Sequence, residues 1–316
     1  MANSQRVGLT QARAAPIAGG THRVAVGVRM TALSPWLFLA PALGLLALYL
    51  VYPALATLWF ALHDRAGQDF VGAANFAWAF HDPGVRRALA NNLLWLLVVP
   101  ATSTALGLLA AALTERLRWG GAARTLILMP VAISFVGAAV VWRFVYDFRP
   151  EGAAQTGLLN ALVVAFGGTP RAWIALPFWN SFFLMAIVIW VQTGFAMVIL
   201  AAALRGIGKD TVEAARLDGA NGLQIFAWIV VPQIRGTIAV VWIAITLAVL
   251  KVFDIVLAMT NGQWNTGVLA NLMFDRMFRG GGHLGQGAVI ALVLIGLVAP
   301  VVFWTLCRAR GQGQGR

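Results

Sequence analysis

The sequence predicts an all-α membrane protein with six transmembrane helices, and three observations carry that prediction. Of its 316 residues, 60% are hydrophobic and only 11% are charged, against about 45–50% and about 25% in ordinary soluble domains. Six apolar runs are each long enough, at about 20 helical residues, to cross a hydrocarbon core of about 30 Å. The 23 Lys and Arg residues fall almost entirely between those runs. A soluble fold of this length cannot bury so much apolar surface and still cover itself with polar groups, so a soluble enzyme is nearly excluded. The 33 Gly and 13 Trp agree, because Gly is tolerated in packed membrane helices and Trp collects at the bilayer interface.

Residues 1–34 form a tail with Arg6, Arg13, Arg23 and Arg29 and no acid. Such a composition suits a transit peptide, and more simply a cytoplasmic tail whose charge holds the first span inside. Spans are expected at 35–60, 93–114, 125–146, 182–204, 236–258 and 287–307, so that 35–307 forms one membrane domain followed by a short tail, 308–316. The first run is longer than the apolar core of a secretory signal. With the N-terminus inside, fourteen of the 23 bases fall on the inner side and seven on the outer, leaving Arg143 and Lys251 within spans. That bias puts both termini in the cytoplasm and explains the net charge of +12 without nucleic acid. The outer loop 147–181 contains an apolar stretch, Gly157–Phe166, too short to span; an interfacial helix fits it, with Trp173 and Trp179 near the lipid headgroups. Thr102, Ser103 and Thr104 follow Pro100, and their hydroxyls can satisfy backbone groups that a proline frees.

The chemistry is marked by what is missing. No G-x-x-x-x-G-K-[ST] phosphate loop occurs, and Gly206-Ile207-Gly208-Lys209 lacks both the spacing and the following hydroxyl. There is no H-E-x-x-H and no G-x-S-x-G. His22, His63, His81 and His283 fall in loops or the tail, and Cys307 is the single cysteine, so neither an intramolecular disulfide nor a thiolate metal cluster can form. No cofactor is expected, and the chain reads as a conduit.

The long inner loop, 205–235, is the most informative segment. Asp210 followed by Glu213 has the spacing of a capping box and predicts a helix start. Ala214, Ala215 and Leu217 continue that helix, and Gly219 can take the left-handed conformation that stops it. Ala220 to Val231 then predicts a second helix, ended by Pro232. A small-faced helix in such a loop can seat closely in another protein's groove, or can be an ordinary amphipathic connector.

Here the sequence resembles a known family. Glu213-Ala214-Ala215, Asp218-Gly219-Ala220, Phe226, Ile229 and Pro232 match the loop pattern E-A-A-x-x-D-G-A, five residues, F-x-x-I-x-L-P of permease subunits of binding-protein-dependent ABC importers. Val231 stands where that pattern has Leu, and Gly236 where a second Pro is common. Lys251-Val252-Phe253-Asp254 with Met259-Thr260-Asn261-Gly262, Gly157-Leu158-Leu159-Asn160-Ala161 and Ala172-Trp173-Ile174 resemble the sugar branch that includes the larger maltose permease; Leu176 replaces an Asp common before Pro177. Thr260 to Trp264 and Val268 to Asn271 are most similar to the α-glucoside group. The resemblance covers about residues 30–310 and implies a type I ABC importer permease fold with a cytoplasmic coupling helix. It implies ATPase coupling through Glu213, Ala214, Ala215, Asp218, Gly219 and Ala220. It also implies as partners a second permease subunit, ATP-binding subunits, a periplasmic sugar-binding protein and the lipid of a bacterial inner membrane.

Polar groups within the spans are the candidates for a cargo path. Lys251 and Asp254, at i and i+3 of one helix, can form a structural ion pair or touch cargo. Gln192 and Thr193 in the fourth span can bond a sugar hydroxyl or a neighbouring helix, with Trp190 and Phe195 beside them. Asn261 joins these candidates through the loop it shares with the α-glucoside group. So few ionisable groups in the spans suit a neutral sugar; another cargo of the same machinery, such as glycerol phosphate, a polyol or a sulfonated sugar, and a stand-alone secondary transporter are the alternatives.

Overall fold

The computed structural model describes residues 34–279 and 282–313; all of the expected tail except Ser34 lies outside them. The chain divides into two compact units, residues 1–52 and 53–316. In the first, α1 (Ser34–Leu46) runs into a π-turn at Ala47–Val51, and every residue from Trp36 to Tyr52 is exposed. Such a surface is stable only against lipid or protein.

The second unit is built of helices joined by loops. The helices from Tyr52 on are α2 (Tyr52–Ala61), α3 (Ala74–His81), α4 (Pro83–Arg116), α5 (Gly120–Leu128), α6 (Phe135–Val145), α7 (Leu158–Ala165) and α8 (Asn180–Arg205). There follow α9 (Lys209–Leu217), α10 (Gly222–Ile225), α11 (Val231–Gln233), α12 (Arg235–Leu250), α13 (Asp254–Met259), α14 (Leu269–Phe274) and α15 (Leu284–Gly313). Among the described residues there is no strand, only an isolated antiparallel bridge between His63 and Phe70.

Helix α4 starts where the sequence supplies a stop to fraying. The Asp82 carboxylate accepts from Val85 N at 3.0 Å, and Pro83 fills the first turn, where no donor is needed. At 34 residues it is about 51 Å long, so the expected span 93–114 begins ten residues late. Arg86, Arg87, Asn91 and Asn92 lower the hydropathy of the first turns without breaking the helix.

Helices α4 and α8 form the centre. A Cβ on Gly107 would lie 2.4 Å from the Ala196 side chain, and one on Gly194 would lie 2.5 Å from the carbonyl of Ile127. Only bare backbone at these two points lets α8 sit against both α4 and α5. Trp95, Leu184, Met197, Leu200, Ile245 and Ile255 fill the main core. A smaller core gathers Ala61, Ala79, Val85, Leu269, Val289 and Ile290.

Four segments are long and apolar enough to cross a membrane, Trp36–Ala61, Pro83–Glu115, Asn180–Arg205 and Leu284–Trp304. There are six if each of two bent pairs counts as one span. The first pair corrects the expected straight span 125–146. Gly120–Ala132 and Phe135–Val145 meet at 109°, because Pro130 lacks a donor, Ile133 and Ser134 are extended, and the Ser134 hydroxyl caps a new helix through Gly137 N at 3.1 Å. The second pair, Gly222–Gln233 and Arg235–Leu250, bends by 71°. The expected span 236–258 is also not one helix: α12 ends at Leu250, Lys251 is its C-cap, and α13 begins at Asp254. The last helix, α15, continues past 307 to Gly313, although its membrane-crossing segment is Leu284–Trp304. The hydroxyls of Ser103 and Thr104 do not serve the backbone around Pro100; both are buried without a partner.

Candidate functional site

The inner loop is organised by its own backbone. Helix α9 follows Gly208, whose extended conformation (φ −60°, ψ 129°) makes it the N-cap without a side-chain bond. The expected capping box of Asp210 and Glu213 therefore does not form, since Asp210 is already inside the first turn, where its carboxylate complements the helix dipole. The capping box lies one helix later. The Asn221 side-chain oxygen accepts from Leu223 N (3.1 Å) and Gln224 N (2.9 Å), and the Gln224 side chain accepts from Asn221 N (2.9 Å).

The end of α9 is a two-bond Schellman stop. Ala220 N donates to Ala215 O at 3.0 Å and Gly219 N donates to Arg216 O at 3.1 Å, with Gly219 at φ +85°. A Cβ on Gly219 would meet nothing within 4 Å, so its constraint is conformational rather than steric. Ala215 is buried, whereas Glu213, Ala214, Asp218 and Gly219 are exposed and Ala220 is half-buried. Leu217, Leu223 and Trp228 are each more than three-quarters exposed. Two clefts flank the stop: one of about 400 Å³ beside Asp218, Gly219, Gln224 and Trp228, another of about 270 Å³ beside Lys209, Glu213, Arg216 and Val230. Pro232 does not end the second helix as expected. A π-turn at Phe226–Val230 widens the helix ahead of the proline ring, α11 carries on to Gln233, and the bend falls at Ile234 (φ −95°, ψ 8°). Close by in the chain, Arg124 donates to Glu115, which lies 4.0 Å from Arg205, so charges tie the ends of α4, α5 and α8.

The five cargo-path candidates are not gathered into one site. The Thr193 hydroxyl is spent on Ile189 O (2.7 Å), one turn back on its own helix. Thr193 and Trp190 line an apolar groove of about 760 Å³ between α4, α5 and α8. Trp190 packs edge-on against Trp142. Gln192 is half-buried on α8. Lys251 and Asp254 are both exposed and no ion pair joins them; the break after Leu250 takes them off a common helix, which corrects the expected pair. Asn261 sits in the left-handed region (φ 53°), and its side-chain oxygen accepts from Arg279.

Asn261 instead belongs to a clamped loop, 260–268, that sequence reasoning used only for its resemblance. Arg87 donates to Asn265 Oδ1 (2.6 Å), and Asn91 Nδ2 reaches both Asn265 O and Gly267 O (2.8 Å each). Asn180 Nδ2 reaches Trp264 O (2.7 Å), and Asn92 Oδ1 takes Leu269 N (2.8 Å). Within the loop the Thr260 and Thr266 hydroxyls bond each other at 2.6 Å. The signal was the Asn91-Asn92 pair in an otherwise apolar helix.

A second asparagine explains the outer-loop resemblance. Asn160 is fully buried on α7 and uses its whole amide: Nδ2 donates to Asp147 O and Arg171 O, and Oδ1 accepts from Arg171 N and Trp173 Nε1. Trp173 is thereby tied to the protein, while Trp179 stays exposed.

Apolar helices with two sharp bends, tight Gly contacts at the centre and an exposed helix–stop–helix loop define a polytopic membrane subunit that can be gripped from outside. The chain belongs to the family of binding-protein-dependent transport system inner membrane components, whose profile matches residues 103–308. It is thus a multi-pass permease subunit of an ABC importer. It is 62% identical to the alpha-glucoside transport system permease protein AglF of Rhizobium meliloti (strain 1021), over 95% of this chain and 88% of that one. It is 46% identical to the osmoprotective compounds uptake permease protein GgtC of Synechocystis sp., over 87% and 99%. Among solved structures it superposes with TM-score 0.74 on a bacterial ABC transporter that imports the acidic polysaccharide alginate, at 20% identity over 87% of this chain and 95% of that one; this likeness speaks for the fold.

Proposed function

We propose that this subunit carries α-glucosides or related oligosaccharides from the periplasm to the cytoplasm, powered by ATP hydrolysis on partner subunits. The observation that carries the cargo is the 62% identity, over nearly the whole chain, to a permease named for alpha-glucosides. In this reading both termini are cytoplasmic, a second permease subunit completes the path, and a periplasmic sugar-binding protein delivers the cargo. Helix α9 and its stop dock on an ATP-binding subunit through Glu213, Ala214, Ala215, Asp218, Gly219 and Ala220. The exposed Leu217 and Trp228 supply apolar contact area there. The bend at Ile234 then passes the motion to α12, a two-state element biased by the ATPase at one face and the binding protein at the other. Gln192, Lys251 and Asp254 keep free polar groups for cargo, while those of Thr193 and Asn261 are already engaged.

The test is uptake of radiolabelled trehalose into cells carrying the complete transporter, competed by a panel of disaccharides. Strong competition by α-linked glucosides and none by β-linked ones is expected; the reverse order overturns the cargo. A second reading, small neutral osmoprotectants, is favoured by the likeness to the osmoprotective-compound permease, and competition by such solutes alone would select it.

A further inference from the structure

A cavity of about 160 Å³ lies where the first turns of α4 meet the clamped loop and α14. Arg87, Asn265, Asn271 and Asp275 line it, and its wall is bare backbone at Gly262 and Gly267. The space holds about five waters at about 30 Å³ each, the scale of one sugar ring. Asn271 is 3% exposed, yet neither atom of its amide has a partner. Two residues before it, Leu269 N donates to Asn92 Oδ1, and Asn92 Nδ2 is unmet as well. Buried amides are almost always hydrogen-bonded. Asn160 and Asn180, buried elsewhere in this chain, are bonded, so Asn271 and the Asn92 Nδ2 beside it are exceptions, set just behind the wall of this cavity.

We propose that Asn271, Arg87 and Asp275 form a subsite that receives one hexose ring of the cargo before it enters the bundle; this rests on the sugar reading of the function. A sugar hydroxyl both donates and accepts. The Asn271 amide offers both once a side-chain rotation brings it through the wall, Arg87 has N–H donors beyond the one bonded to Asn265, and the Asp275 carboxylate, 3.6 Å from Arg279, only accepts. Position agrees. Glu115, at the far end of α4, lies beside Arg205 and the inner loop. Arg87 is 28 residues earlier on that helix, roughly 40 Å away along it. The cavity is therefore at the end of α4 opposite the coupling loop, where a sugar arriving from the binding protein first meets this chain.

The experiment uses the assembled transporter in proteoliposomes, with Cys307→Ser and Leu272→Cys giving one thiol at the cavity wall. The rate of maleimide labelling is measured with and without methyl α-D-glucopyranoside, and trehalose import is followed in parallel. Two variants are compared. Asn271→Leu removes the amide at similar volume. Gly267→Ala narrows the cavity without removing a polar side chain, its Cβ meeting Gly262 O at 3.6 Å. The sugar is expected to slow labelling at least fivefold, and both variants to lose most of that protection while still assembling with their partners. Equal labelling with and without sugar, in vesicles that do import trehalose, overturns the subsite and leaves the transport reading intact. Protection that survives in Asn271→Leu also overturns it, and points to ordered water as the amide's partner. Absence of any α-glucoside import overturns the transport reading itself.

Discussion

The two loops on either side of α12 are built on opposite plans. The inner loop is held by its own backbone and nearest neighbours: the stop at Gly219, the box of Asn221 and Gln224, the π-turn before Pro232. Leu217, Leu223 and Trp228 face outward. The loop 260–268 is held from elsewhere in the chain, by Arg87, Asn91, Asn180 and Arg279. A loop proposed to dock on another protein keeps its shape without spending its surface. A loop that must stay registered to its own bundle gives its surface away.

The sharpest way to break this contrast is at the inner loop. Gly219→Ala forces a residue with a side chain into the left-handed region at about 1–2 kcal/mol, and Glu213→Lys reverses a charge on the exposed face of α9. Both are expected to abolish sugar uptake and transport-coupled ATPase activity while membrane insertion, measured by the amount of protein in washed membranes, is unchanged. Normal uptake in both variants removes the coupling role from this loop.

At the clamped loop the first loss is expected in stability. Asn91→Leu leaves two carbonyls of the loop without their donor, a cost of about 1–3 kcal/mol. The purified complex is expected to aggregate at a temperature about 5 °C lower, with uptake reduced in proportion to surviving protein. Uptake lost at full stability would instead make the clamp part of the transport cycle. Asn160→Leu probes the same plan on α7: unpairing Arg171 N and Trp173 Nε1 is expected to lower the aggregation temperature by a similar amount, and to expose the loop 167–179 to protease.

Smaller effects separate the two plans further. Lys251→Gln and Asp254→Asn break no ion pair and are each expected to change stability by no more than about 0.5 kcal/mol, read as an unchanged aggregation temperature. A fall in uptake under those conditions assigns them to the cargo path. At the start of α15, burial and the nearby Arg65 and Arg276 hold the His283 imidazole below its usual range. A depressed histidine favours the neutral form in the folded protein, so its contribution is complete above the unfolded pKa of about 6.5 and is lost as pH falls through the lower folded value. His283→Gln is expected to flatten the acid side of the stability–pH curve and to leave the neutral side unchanged.

Much of the architecture was legible because hydropathy reports burial in lipid directly. The ends of α8 fall within two residues of the expected 182–204, and the helix expected from Asp210 to Asp218 is α9, Lys209–Leu217. Direction was not legible. Hydropathy cannot see that the chain turns at Ile133 and Ser134 or unwinds at Lys251, since both breaks lie inside apolar runs. The cap was misplaced because Ser/Thr/Asp/Asn spacing alone does not say which residue is extended, and Gly208 is extended before Asp210 is reached. The family pattern located the inner loop, but its physical reason, a carbonyl at Ala215 closed by Ala220 N, appears only in three dimensions. The partners of the Asn91 clamp were not legible for a related reason. One amide in an apolar helix reads as a small loss of hydropathy, whereas the carbonyls it serves lie 174 and 176 residues away.

The stop after α9 also decides what kind of handle this loop offers. The last carbonyls of the helix are already answered, Ala214 O by Asp218 N, Ala215 O by Ala220 N and Arg216 O by Gly219 N. A partner finds few backbone acceptors left at that end and meets Leu217, Leu223 and Trp228 instead. In the proposed docking, the apolar part of the joint is only weakly loosened by added salt, which screens charge and not apolar contact. Solvents that compete for that surface are what should uncouple it, so a high-salt wash is expected to leave the complex together where a harsher detergent takes it apart.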